Sequence, residues 1–115
     1  MSKRGDLELL CDIKEAIERI VGYLSGIEYE QFLKDAKTQD AIVRNMEVIG
    51  EASKNISDEL KKQRPQSPWK KLAGIRDRLI HHYFGVNFDI IWNIMKKELP
   101  DLIGEIDKLS KIKEQ

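Results

Sequence analysis

The sequence predicts an all-α protein, an up-and-down bundle of four or five helices. Three observations predict it. Apolar residues recur at three- and four-residue spacing along most of the chain, with no strand-like alternation. Only three prolines and seven glycines interrupt 115 residues. A make-up of 41% hydrophobic and 35% charged residues suits helices with heavily solvated outer faces.

The first helix is expected from about Asp6 to Ser25, where Leu9, Leu10, Ile13, Ile17, Ile20, Val21 and Leu24 form one stripe and Ser25-Gly26 stops it. A short helical turn over Glu28 to Leu33 would carry Tyr29, Phe32 and Leu33. A second long helix is expected from about Thr38 to Lys62, striped by Ile42, Val43, Met46, Ile49, Ala52, Ile56 and Leu60. Gly50 sits in its middle, where glycine costs roughly 1 kcal/mol relative to alanine; close approach of a neighbouring helix would explain it. In Gln63-Arg64-Pro65-Gln66-Ser67-Pro68, Ser67 reads as an N-cap and Pro68 as the first residue of a third helix. That helix carries Trp69, Leu72, Ile75, Leu79 and Ile80 and stops at Gly85. Asn87 would cap the next, with Ile90, Ile91, Ile94 and Met95; Pro100 marks a break or kink before Leu102, Ile103, Ile106 and Leu109 resume the pattern. Residues 1–115 read as one helical domain, its charged tail fraying from about Ser110. Trp69, Trp92 and the lone Cys11 read as core filler.

A single cysteine excludes an internal disulfide and a zinc site of the usual spacing. No apolar run approaches the roughly 18 residues a membrane span needs, and no apolar signal core follows Met-Ser-Lys-Arg-Gly-Asp, so a cytoplasmic location is expected. Net charge is zero, but it is unevenly spread. Residues 1–60 hold 13 acids and 8 bases, whereas Lys61, Lys62, Arg64, Lys70, Lys71, Arg76 and Arg78 face the single acid Asp77 in residues 61–82. That basic stretch either binds phosphate, with Lys70 and Lys71 as RNA-binding candidates, or is a solvated loop and helix start.

The chemistry concentrates in Arg76-Asp77-Arg78-Leu79-Ile80-His81-His82-Tyr83-Phe84-Gly85, which holds both histidines of the protein. Histidine trades protons near neutrality, and arginine holds phosphate bidentately and offsets charge developing on phosphorus. This equipment suffices for RNA cleavage in which a 2′-hydroxyl attacks its own phosphate, with no metal or cofactor. On a helix Arg76 and Tyr83 nearly superpose, Asp77 can touch His81, and Arg78 pairs the same way with His82. Arg76 and His81, five residues apart, diverge by about 140° on an ideal helix. Convergence requires either a tightened or unwound last turn, or two chains pooling their motifs across a two-fold axis. The same residues also suit plain architecture: a packed Tyr83 and a histidine near the helix C-terminal dipole.

At these residues the chain resembles the HepT-like branch of the HEPN superfamily, whose signature of Arg, four residues, His, one residue, Tyr reads here as Arg76, His81 and Tyr83. Asn45-Met46-Glu47-Val48-Ile49-Gly50-Glu51-Ala52, Pro68-Trp69-Lys70-Lys71-Leu72-Ala73-Gly74-Ile75, Phe84-Gly85-Val86, Trp92 and Leu99-Pro100 resemble the family as well, so the likeness spans roughly residues 7–109. The resemblance implies a homodimeric, metal-independent endoribonuclease, the toxin of a two-gene toxin–antitoxin module whose partner is a minimal nucleotidyltransferase. Arg76 would stabilise the phosphorane and His81 act as general acid and base, with Asp77, Arg78 and His82 in support. Tyr83 would be the acceptor of AMP from the antitoxin. Asp77 takes the acidic option after the arginine, which leaves an anion beside the phosphate site. The competing reading is a non-catalytic helical module that partners a nucleotidyltransferase and grips a nucleotide or that enzyme with the same cluster; an inert assembly dimer is a third.

Overall fold

The computed structural model describes residues 5–65, 67, 69–83 and 88–114, and among these the side chains of all but residues 76, 78–83, 88, 90–91 and 112–114. Helix α1 (Asp6–Leu24) forms where the sequence predicts it, with Asp6 and Glu8 in the first turn complementing the positive end of its dipole. Leu9, Leu10, Ile13, Ile17, Ile20 and Leu24 are buried as one stripe. Val21, assigned to that stripe, instead faces solvent, as does Cys11. Both lie one position beyond a core residue, about 100° off its direction. Gly26 ends the helix with a φ of 77°, a left-handed conformation that glycine adopts at no steric cost.

Helix α2 (Tyr29–Leu33) is short and is held from both ends. The Glu28 backbone N–H donates to Gln31 Oε1 at 2.9 Å, and Gln39 Nε2 donates to the carbonyls of Phe32 at 2.8 Å and Leu33 at 3.2 Å. Phe32 is buried.

The long second helix of the sequence reading is two helices, α3 (Ala36–Lys54) and α4 (Asp58–Gln63). Asp35 caps α3, accepting the Thr38 N–H at 3.0 Å and the Thr38 hydroxyl at 2.6 Å. The chain leaves the helix at Asn55–Ser57 because Ser57 has two better uses for its polar groups. Its Oγ accepts the Leu60 N–H at 3.2 Å as the cap of α4, and its own N–H and hydroxyl donate to the buried carboxylate of Asp6. A cap of this kind is worth about 1 kcal/mol, and here it also ties α4 to the first turn of α1. Gly50 is buried on α3, which packs against both α1 and α5.

Helix α5 (Trp69–Tyr83) follows. The Ser67 carbonyl accepts the Trp69 N–H at 2.8 Å, while the Ser67 hydroxyl is buried and makes no hydrogen bond among the described residues. Ser67 therefore does not act as the expected side-chain cap; Pro68, Gly85 and Asn87, also assigned helix-boundary roles, lie outside the described residues. Helix α6 (Phe88–Asn93) runs into a π-helical turn (Ile94–Glu98) and then into α7 (Leu99–Glu114) without a non-helical residue. Pro100 thus produces no break. Proline cannot donate the N–H that an α-turn would direct at residue 96, and the wider turn in front of it, where the Leu99 N–H reaches back to the Ile94 carbonyl, absorbs the mismatch. Beyond Ser110, where fraying was expected, α7 continues as helix through Glu114.

The bundle places α3 between α1 and α5, with α7 returning along α1 and α6 packed on α5. One core joins them, including Ile13, Ile17, Met46, Ile49, Leu72 and Ile106. Among the described residues there is no strand, and no helix is long and apolar enough to cross a membrane.

Candidate active site on helix α5

Among the described side chains, those that fix helix α5 to the bundle lie in its first half. Leu72 and Ile75 are buried, and Trp69 packs half-buried at the edge of the core, its indole N–H donating to the Arg64 carbonyl at 2.9 Å. Lys70 and Lys71, on the outer side of the same turns, are exposed. Lys71 Nζ lies 3.0 Å from Glu98 Oε1 in the π-turn. Of the two RNA-binding candidates, Lys71 is therefore partly neutralised, and Lys70 makes no ion pair among the described residues.

The second half of α5 carries the motif. Its backbone is α-helical through Tyr83, so Arg76, Asp77, Arg78, His81, His82 and Tyr83 all stand on one uninterrupted helix. Asp77 is exposed. The side chains of Arg76, Arg78, His81, His82 and Tyr83 lie outside the described residues, as do the expected Asp77–His81 and Arg78–His82 pairings. The backbone fixes the register: position 81 falls on the stripe of Lys70 and Asp77, both exposed, while position 76 falls about 140° away, nearer the stripe of Leu72. The helix is not unwound before Tyr83, and the rest of the turn leading to Gly85 lies outside the described residues.

A polar corner that sequence reasoning did not single out lies where α2 meets α6. Tyr29 Oη donates to the Asp89 carboxylate in the first turn of α6. The carboxylate holds the phenol in its protonated form and so raises the Tyr29 pKa, with burial adding to the effect. The Tyr29 and Phe32 rings each stand 5.3 Å from the Trp92 ring, tilted by 53° and 37°, and Lys96 Nζ lies 5.0 Å from the Trp92 ring centre. Trp92, expected in the core, is thus a half-buried platform at its edge. The sequence shows Tyr29 and Phe32 in the short turn and Trp92 separately, but nothing joins them, since the partners lie 60 residues apart.

A helical bundle with an Arg-His-Tyr motif on a basic helix is an all-α domain of HEPN type. The sequence profile of the family described as ribonuclease HepT-like matches residues 13–109, and the chain belongs to that family. It is 47% identical over 109 residues to a protein of Thermococcus cleftensis named "Probable ribonuclease HepT", covering 95% of this chain and 99% of that one. It is 44% identical over 111 residues to an RNase-named protein of Methanocaldococcus jannaschii, covering 96% and 92%. A third RNase-named relative, from Caldanaerobacter subterraneus subsp. tengcongensis, is 42% identical over 97 residues, covering 84% and 87%. No solved structure matches the chain.

Proposed function

We propose that this member of the ribonuclease HepT-like family is a metal-independent endoribonuclease whose site is assembled by two copies of the chain. The observation that carries the composite site is the unbroken α5: with Arg76 and His81 about 140° apart on one continuous helix, a second helix is the simplest source of the missing partner. A two-fold axis passing close to α5 brings Arg76 of one copy toward His81 of the other. RNA supplies its own nucleophile. His81 takes the 2′-hydroxyl proton as the new O–P bond forms, and a protonated imidazole returns a proton to the departing 5′-oxygen as its P–O bond breaks. Arg76 balances the extra negative charge on the equatorial oxygens. Asp77, on the register of His81, would orient the imidazole; Arg78, His82 and Lys70 would hold the backbone phosphates.

Such an enzyme needs restraint in the cell. The proposal includes its role as the toxin of a two-gene module, with a minimal nucleotidyltransferase as antitoxin that transfers AMP to Tyr83. Position 83 lies seven residues after Arg76 and shares its face of the helix. A bulky nucleotide there would fill the cleft and repel the RNA phosphate.

The test is cleavage of total RNA in EDTA by the wild type, by Arg76→Ala, by His81→Ala and by an exchanged mixture of the two variants. Cleavage lost in each variant and partly regained in the mixture is the expected result, because a mixed dimer rebuilds one intact site. A mixture as inactive as its components would place both groups in a site within one chain. A wild type that leaves RNA intact but binds a nucleotidyltransferase would replace this reading with the non-catalytic module.

A further inference from the structure

We infer that Tyr29 is a positioning residue for the α5 motif, acting through Asp89 to fix how α6 seats against α5. Helix α6 is the leading end of a helical stretch that runs on through the π-turn into α7, and its far end is anchored by the buried Ile94 and Met95; its first turn, nearest the motif in sequence, depends on what packs there. Packing on Trp92 from Tyr29 and Phe32 keeps α6 close to α2, but flat ring contacts tolerate sliding and rotation. The Tyr29 hydroxyl adds direction. Its charge-assisted bond to Asp89 pins one point in the first turn of α6, and Trp92 a turn later supplies the second, so the leading end of the helix is held against sliding and rotation.

The anchor is itself rigid. Helix α2 is closed at its start by the Glu28–Gln31 bond and at its end by Gln39, and Phe32 is its buried wedge. Helix α6 then packs on α5, whose second half carries the motif. A phenol is protonated at neutral pH, and the Asp89 carboxylate that accepts its hydrogen bond favours that form further. A purely architectural tyrosine would act through its ring alone; the hydroxyl, bonded to a residue 60 positions away that begins the helix after the motif, does more.

The activity arm of the test rests on the ribonuclease reading, so a second arm avoids it. The protein has two histidines, His81 and His82, both in the motif, so its imidazole NMR signals report on that segment alone. Tyr29→Phe keeps the ring and removes the hydroxyl; Asp89→Asn removes the charge from the other side. The expected result is that Tyr29→Phe melts close to wild type, shifts the imidazole resonances and their titration midpoints, and lowers kcat about tenfold with KM little changed. Asp89→Asn should move the same signals at least as far, and the double variant no further than Asp89→Asn alone, because Tyr29 acts through Asp89. Should Tyr29→Phe fail to fold, Asp89→Asn carries both arms. Imidazole signals and cleavage that match wild type in a folded variant would overturn the proposal. A wild type without nuclease activity whose imidazoles still move would sink the ribonuclease reading and leave the positioning link standing.

Discussion

Residues 69–75 and residues 76–83 are the two halves of one helix, and they answer to different demands. The first half buries Leu72 and Ile75 and leans Trp69 on the core edge, so its side chains are chosen by packing. The second half gathers two arginines and both histidines in eight residues, a density no core requires. Among the described side chains of α5, the buried ones, Leu72 and Ile75, all precede the ionic groups. The comparison predicts that stability and candidate chemistry are separable along a single element, almost between adjacent residues.

The sharpest way to break that comparison is to truncate neighbours. Ile75→Ala removes a side chain that is 1% exposed and should cost the fold about 2–5 kcal/mol. Measured in denaturant, that loss should appear as a lower midpoint, with activity per folded molecule retained. Arg76→Ala should do the reverse: a fall in cleavage on the order of 10²–10³-fold. If Ile75→Ala removed activity while the protein stayed fully folded, the two halves would not be separable.

How much of this could be read from the sequence depends on the distance over which each feature is decided. The α1 stripe and the α5 motif are local patterns, and both are legible. The break at Asn55–Ser57 is not, since Ile56 and Leu60 keep the helical spacing across it and the residue that captures Ser57 is Asp6, 51 positions earlier. Tyr29–Asp89 is hidden for the same reason. Cys11 is a different failure. It follows Leu10 directly, so the phase of the stripe already turned it outward, and only the usual habit of free cysteine suggested burial. The π-turn before Pro100 was visible as an irregularity but not as a kind of irregularity.

A middle-sized effect is expected where α1 is tied to α4. Ser57→Ala deletes the cap of α4 and strips the hydroxyl donor from the Asp6 carboxylate, which is only 8% exposed. Loss of a cap together with an under-satisfied, nearly buried carboxylate should cost about 1–3 kcal/mol. Ser57→Thr, which keeps a hydroxyl, should recover most of it. A thermal melt of the three proteins decides the matter: equal loss in both variants would mean that neither hydroxyl bond matters and that backbone geometry alone makes the break. Because neither Ser57 nor Asp6 belongs to α5, cleavage per folded molecule should be untouched in both.

The smallest expected effect sharpens the comparison through charge. Asp35, capping α3, is a titratable group whose task is purely structural, unlike those proposed for the second half of α5. Its pKa is lowered from the ordinary 3.8, first by the Thr38 hydroxyl and then by the Thr38 backbone N–H, both of which favour the carboxylate. A depressed folded-state pKa means that the folded protein binds the proton less readily than the unfolded chain does. The stabilisation is therefore present above the unfolded value of 3.8 and fades as pH falls through the lower folded value. Asp35→Asn keeps an amide oxygen able to cap but removes the charge. At neutral pH the variant should unfold at slightly lower denaturant than wild type, and in acid below the folded pKa the gap should close. A gap that stayed constant through the acid range would show that the amide differs from the carboxylate by shape rather than by ionisation.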